Sequence, residues 1–359
     1  MFDEIVEQAE AKRLLEAAIS EGPAHAHLFH GPAGVGKSKA AFAFAAELLG
    51  DRGRVERRAH PDLYVLEPLG DQIRIDEIRT LRRDLHMRPF EAAWRVYVIV
   101  SAHLLNAEAA DALLKDLEEP PDYAVILLVA DELGPLPETI RSRCQLVPFS
   151  RLSERAVRAL VDGWAPGLAP ERATAVARVA GGRLDRAVRL LDPEAAARRD
   201  ELLAIARSVY GDPGFSAGVA ASRLLELVDE GAKGAREQVD AQLEWLDLPA
   251  REAELRRRRA ELGAQREGVL ETLEELAAWY RDLVCVAVGA EDVVAHYDHL
   301  AQLREDASVE RVAGAERAVE LVRKTWRAYE EFNLQPKLAL EALLVQLRQA
   351  LASAVPATA

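Results

Sequence analysis

The segment Gly31-Pro32-Ala33-Gly34-Val35-Gly36-Lys37-Ser38 follows a short apolar run, Ala26-His27-Leu28-Phe29-His30, and opens an alanine- and phenylalanine-rich stretch from Lys37 to Leu49. A glycine-rich turn between a strand and a helix, ending in Lys-Ser, is the pattern of a phosphate-binding loop. Its glycines let backbone N–H groups turn inward around phosphate oxygens, and the helix N-terminus adds partial positive charge. Lys37 is expected to reach the β and γ phosphates and the Ser38 hydroxyl to sit on Mg²⁺, with Gly31, Gly34, Val35 and Gly36 shaping the cradle. ATP with Mg²⁺ is the ligand such a loop implies. Whether it holds nucleotide is a separate question, because the loop can persist as a fold element after its ligand is lost.

Around the loop the pattern alternates strands and helices as far as about Ser150. Leu63 to Leu66 reads as a strand and Ile75 to Leu85 as a charged amphipathic helix. Val96 to Val100 and Val125 to Val129 are uniformly apolar, as strands covered on both faces of a parallel sheet should be. Between them, Ala107 to Leu117 reads as a helix that Pro120-Pro121 terminates. The fold class is therefore α/β, a doubly wound parallel sheet with helices on both faces over 1–150. Strands stop at Arg151. Ser153 and Pro170-Glu171 mark helix starts, and Gly181-Gly182 breaks the helices of a small bundle over 151–207. A larger all-α region follows over 208–351, including a Glu-, Arg- and Leu-rich stretch over 237–284 that reads as one or two long helices. The tail, 352–359, reads as disordered.

Composition narrows the partners. The formal net charge is −14, from 46 basic and 60 acidic residues, which disfavours gripping nucleic acid alone. The run Arg256-Arg257-Arg258-Arg259 is surrounded by Glu252, Glu254 and Glu261 and reads as a solvated helix face. No stretch is long and apolar enough for a membrane span, and the acidic N-terminus lacks a signal-peptide order, so a cytoplasmic protein is expected. Two cysteines far apart, Cys144 and Cys285, suit a reducing compartment. They cannot form a four-thiolate zinc site. His296 and His299, with Asp298, are too few ligands to predict a metal site.

One feature conflicts with the loop. Nucleotide-hydrolysing relatives of this fold end a strand beside the loop with an acid that anchors Mg²⁺, usually followed by a Glu that activates water. The strand Val96 to Val100 ends instead in Val100-Ser101. Asp111 and Asp116 follow, but on the next helix.

Several motifs occur together in a fixed order: the loop itself, His60-Pro61-Asp62, Leu104 to Lys115, Leu117-Glu118-Glu119-Pro120-Pro121, Leu136 to Cys144 with Ser142-Arg143-Cys144 at its end, and Asn333 to Glu341. This order resembles the bacterial clamp-loader ATPase family within the AAA+ class. The resemblance is specific over about 150 N-terminal residues. It implies an AAA+ P-loop domain, a helical lid and a helical collar through which five subunits form a ring. It also implies as partners the gamma/tau and delta subunits of DNA polymerase III and, through the complex, the sliding clamp and primed DNA.

In such rings one subunit stands as a rigid partner and contributes an arginine to a neighbour's ATP; at that position here is Arg143. The plainer reading of Arg143 is that it pairs with a local carboxylate and helps finish a strand. The chain departs from the family pattern in three places: no cysteines between the loop and His60, no acids at Val100-Ser101, and Leu184 or Asp185 where active relatives carry a lid arginine, flanked here by Arg183 and Arg186, so that register decides whether either arginine faces the nucleotide. Three readings follow: a non-hydrolysing stator donating Arg143 in trans, a hydrolysing motor rescued by Asp111 or Asp116, or a binding module outside replication.

Overall fold

The computed structural model describes residues 2, 4–68, 72–245, 250–332 and 334–352; for 234–245, 250 and 252 it describes the backbone alone. The expected tail over 353–359 and the motif residue Asn333 therefore lie outside the described residues.

Two compact units make up the chain. The first is Met1–Ala159 with Gly182–Arg186. Its elements are α1 (Ala9–Glu21), β1 (Ala26–His30), α2 (Lys37–Leu49), α3 (Arg52–Glu56), β2 (Leu63–Leu66), α4 (Ile75–Leu85), β3 (Arg95–Ile99), α5 (Ala107–Glu118), β4 (Ala124–Ala130), α6 (Glu138–Arg141) and β5 (Gln145–Pro148). Five parallel strands lie in the order β2-β3-β4-β1-β5. The central strands β3 and β4 are buried along their whole length, as their unbroken apolar sequence requires.

Alternate side chains divide between the two faces. Phe29, Val96, Val98, Val125 and Leu127 pack with α1 and α2 through Leu15, Phe44 and Ala41. Leu28, Tyr97, Ile99, Ile126 and Leu128 pack with α4 and α5 through Ile78, Leu81, Leu85 and Leu113. Strand β5 has no counterpart in the strands expected from sequence. Its four residues, Gln-Leu-Val-Pro, carry only one buried side chain, so the run lacks the apolar signal of the central strands.

Buried charges in this unit are paired within it. The Asp62 carboxylate is fully buried and accepts the backbone N–H groups of Phe90 (2.6 Å), Glu91 (3.0 Å) and Ala92 (3.0 Å). Burial alone would raise its pKa. The three N–H donors and the nearby Arg95 guanidinium outweigh burial and hold the carboxyl below its ordinary value. Arg95, at the start of β3, grips Asp84 of α4 with Nη2 at 2.7 Å from both oxygens. The His60-Pro61-Asp62 motif is thus a support for the loop leading into β3.

The second unit is Leu160–Gly181 with Ala187–Ala359. The helices α7 (Glu154–Trp164) and α9 (Leu184–Leu191) contribute to both units, whereas α8 (Pro170–Ala180) lies in the second alone. There follow α10 (Pro193–Gly211), α11 (Ala217–Trp245), α12 (Ala250–Ala287), α13 (Leu300–Asp306), α14 (Val309–Glu331) and α15 (Pro336–Ala352). They share a core of Leu224, Leu273, Leu276, Trp279, Tyr280, Val322, Leu340 and Leu344. Of the charged 237–284 stretch, 237–245 lies in α11 and 250–284 in α12, while 246–249 lies outside the described residues; Arg257 pairs with Glu254 at 2.8 Å.

His296 is fully buried, with Nδ1 at 2.8 Å from Asp282 and Nε2 at 3.0 Å from Glu275, while Arg199 bridges Glu275 and Asp298. His296 is therefore held in a network of hydrogen bonds to carboxylates, and no group of three ligating side chains suited to a metal occurs among the described residues.

Replacing Asp62 with Ala is expected to destabilise the protein by about 3 kcal/mol, since three buried N–H groups lose their acceptor. Because the folded carboxyl titrates below the unfolded value of about 3.9, its contribution is complete above that pH and lost as pH falls through the folded value. Urea unfolding of wild type and Asp62→Ala at a series of pH values should show a gap that closes toward acid; a constant gap would refute the assignment.

Candidate functional site

The carboxyl ends of β1, β3 and β4 meet at one edge of the sheet, where open α/β sheets place their ligands. Strand β1 delivers Gly31, whose φ of +139° and closeness to β5 leave no room for a side chain. A Cβ there would stand 2.1 Å from the Phe149 carbonyl oxygen, next to a segment pinned by the Phe149 N–H to His30 O bond (2.8 Å). Gly34 and Gly36 also take positive φ, and Lys37-Ser38 begin α2. Gly31, Gly34, Val35, Gly36, Lys37 and Ser38 are thus brought together in strand–loop–helix geometry.

The Lys37 ammonium is directed inward. Its side chain is 3 % exposed. It donates to Gly31 O at 2.8 Å and to Pro32 O, and it pairs with Asp131 Oδ1 at 2.7 Å. Burial pushes its pKa down, partly offset by Asp131 and then by Asp185. Asp131 follows the last residue of β4. Its own N–H donates to Nδ1 of His103 (3.2 Å), in the segment after β3.

The lid segment also reaches the loop, since Gly182–Arg186 is part of the first unit. Leu184 N–H donates to Gly34 O at 2.6 Å. A Cβ on Gly34 would lie 1.7 Å from Asp185 Oδ1, so this carboxylate rests directly on the loop. Arg183 holds it, with Nη2 at 2.8 Å from Oδ2.

Asp131, His103 and Asp185 were not picked out from sequence as site residues. An acid immediately after a buried strand, and one at the lid position where active relatives carry arginine, were the available signals.

An Mg-nucleotide at this loop needs a carboxylate to anchor the metal and free donors for its phosphates. Strand β3 ends at Ile99, and Val100-Ser101 supply no carboxylate. Asp111 is exposed on α5, and Asp116 is buried against Arg82 of α4 at 2.8 Å. An ammonium has three N–H donors, and Lys37 has three acceptors from its own chain. The donor set does not fit a metal-bound triphosphate.

Arg143 lies at the other edge of the sheet. It follows the short helix α6 and precedes the amino end of β5, so the length of that strand, about 10 Å, separates it from the level of the loop. Its Nη1 donates to Thr139 O at 2.9 Å and its Nη2 pairs with Glu118 Oε1 at 2.5 Å, at the end of α5. The pairing with a local carboxylate is present, and the guanidinium remains 35 % exposed. Burial pushes the neighbouring Cys144 thiol up to about 12.

Residues 7–153 match the family described as "DNA polymerase III, delta subunit". Among curated proteins, DNA polymerase III subunit delta' of Bacillus subtilis is 32 % identical over 158 residues, 41 % of this chain and 48 % of that protein. The delta' subunit of Pseudomonas aeruginosa is 38 % identical over 136 residues, 34 % of this chain and 42 % of that protein. Subunit tau of Bacillus subtilis is 30 % identical over 209 residues, 53 % of this chain and 37 % of that protein. A gamma-subunit-related protein of Thermotoga maritima has a TM-score of 0.47 at 20 % identity, covering 95 % of this chain and 99 % of that one.

The first unit has the parallel-sheet phosphate-loop architecture of the AAA+ class, and residues 7–153 within it are similar to clamp-loader subunits. The matched segments span less than half the length of these curated relatives. Among the described residues no helix is long and apolar enough to cross a membrane.

Gly31→Ala is expected to lower stability by at least about 2 kcal/mol with no nucleotide present, through backbone strain and collision with Phe149. Thermal unfolding of the nucleotide-free protein checks this. An unchanged midpoint would mean the loop is free to move away from the β5 segment.

Proposed function

We propose that the chain is a delta-prime-type subunit of a DNA polymerase III clamp loader, a cytoplasmic stator that does not itself hydrolyse ATP. In this reading it joins gamma/tau and delta subunits in a five-membered ring, and the ring loads the sliding clamp on primed DNA. The observation that carries it is the missing carboxylate: β3 runs into Val100-Ser101, Asp111 faces solvent, and Asp116 is tied to Arg82. The likeness to two delta' proteins supports the same choice.

Arg143 is the group proposed to act, in trans. It stands at the sheet edge opposite the chain's own loop, so it serves a phosphate held by another subunit. A guanidinium beside a γ-phosphate neutralises charge as the bond breaks, an effect worth roughly 10³ to 10⁵ in rate in other NTPases. In the free chain Glu118 holds it half-exposed, through a surface pair worth about 0–1 kcal/mol that a more highly charged phosphate would displace.

A hydrolysing motor of the gamma/tau type is the second reading, favoured by the match to subunit tau over 209 residues. It requires a carboxylate that holds the metal, and the two acids proposed for that rescue are placed elsewhere.

The test is a ring reconstituted from the full chain and its hydrolysing partners. Arg143→Ala is expected to leave the ring assembled and to lower partner ATP turnover by about tenfold or more. Glu118→Ala, which removes only the local pair, should preserve turnover. Equal turnover with Arg143→Ala and wild type would remove the trans role. Turnover by the isolated chain that is abolished by Lys37→Ala would favour the motor.

A further inference from the structure

The phosphate loop of this chain is supplied with negative charge by its own residues. On one side Asp131 pairs with Lys37 at 2.7 Å, and Gly31 O and Pro32 O take the other ammonium N–H groups. On the other side Asp185 lies so close to Gly34 that an added Cβ would fall 1.7 Å from Oδ1 and 2.4 Å from Cγ. The carboxylate is fixed there from two directions. Arg183 donates to Oδ1 at 3.3 Å and to Oδ2 at 2.8 Å, and the neighbouring Leu184 N–H is bonded to Gly34 O at 2.6 Å.

Where active relatives are expected to present a lid arginine to the triphosphate, this chain sets the Asp185 carboxylate against the loop, with Arg183 paired to it. We infer that Asp185 closes the phosphate loop in cis, its carboxylate taking the place of a nucleotide phosphate, so that the loop fastens the 182–186 segment to the sheet instead of binding ATP.

The physical case has two parts. A site selects polyphosphate by offering unsatisfied N–H donors and net positive potential. Here the lysine's donors are satisfied internally, two carboxylates, Asp131 and Asp185, act on Lys37, and the nearby Arg183 guanidinium is itself engaged by Asp185. Removing either acid frees positive charge without adding a new contact, so affinity for nucleotide should rise. The inference deepens the proposed non-hydrolysing role. It is tested apart from it, because its readout is nucleotide binding by the chain alone and not turnover by partners.

Equilibrium binding of Mg-ATP to the full chain is measured by calorimetry, with thermal unfolding in the presence and absence of Mg-ATP as a second readout. Wild type is expected to show no saturable binding at millimolar nucleotide. Asp185→Asn, which keeps size but removes charge, is expected to bind at least about tenfold more tightly, with an unfolding midpoint that rises with Mg-ATP. Adding Lys37→Ala to Asp185→Asn should abolish the gain. Asp185→Ser is the second variant should Asn at this position disturb folding. Saturable binding by wild type that depends on Lys37 would overturn the inference, whatever the variants do. So would a folded Asp185→Asn protein that binds no better than wild type.

Discussion

The Lys37 ammonium sits in a nearly closed pocket, and a buried cation is tolerable only when each N–H finds an acceptor. In a nucleotide-filled loop, phosphate oxygens meet that demand. In this chain Gly31 O, Pro32 O and Asp131 meet it, so the loop is complete without a ligand. The consequence is structural: one ammonium ties the turn after β1 to the residue after β4, and the turn in turn holds Leu184 through Gly34 O. A sequence that reads as a nucleotide site can therefore serve as a fastening within the domain.

The same pairing of buried charge runs through the rest of the molecule. Asp62 is buried but carries three N–H donors; Arg95 is buried but grips both oxygens of Asp84. In the helical unit His296 has a carboxylate at each ring nitrogen. Such pairs add little when intact relative to an apolar core, yet breaking one leaves an uncompensated charge. They fix particular arrangements: the loop before β3 and the connection after α12.

Much of the fold was legible because it rests on local rules. Lys37–Leu49, Leu63–Leu66 and Ile75–Leu85 coincide with the elements read from periodicity, and β3 and β4 differ from expectation by one residue at each end. Strand β5 was not legible, since its short edge sequence has almost no apolar run and is held by pairing to β1. The phosphate loop and Arg143 were legible as motifs, but their environment was not. Asp131 is 94 residues from Lys37 and Asp185 is 151 from Gly34, distances in sequence that only the folded chain closes. The surroundings of Leu184 and Asp185 were not legible either: within the first unit Leu184 N–H bonds Gly34 O, and Asp185, paired with Arg183, lies against Gly34.

A parallel strand has a direction, and that direction separates the two ends of phosphoryl-transfer chemistry on this domain. The loop lies where β1 ends; Arg143 lies where β5 begins. The two positions lie at opposite edges of one sheet, which is why the proposed role of the guanidinium is toward a site carried by another chain. On the proposed reading this chain keeps the donor end alone: its own acceptor end is filled by Lys37, Asp131 and Asp185. It would therefore occupy a position where it faces a nucleotide-holding neighbour on one side only. Its contribution to hydrolysis would then depend on Arg143 leaving the weak surface pair with Glu118 for that neighbour's phosphate.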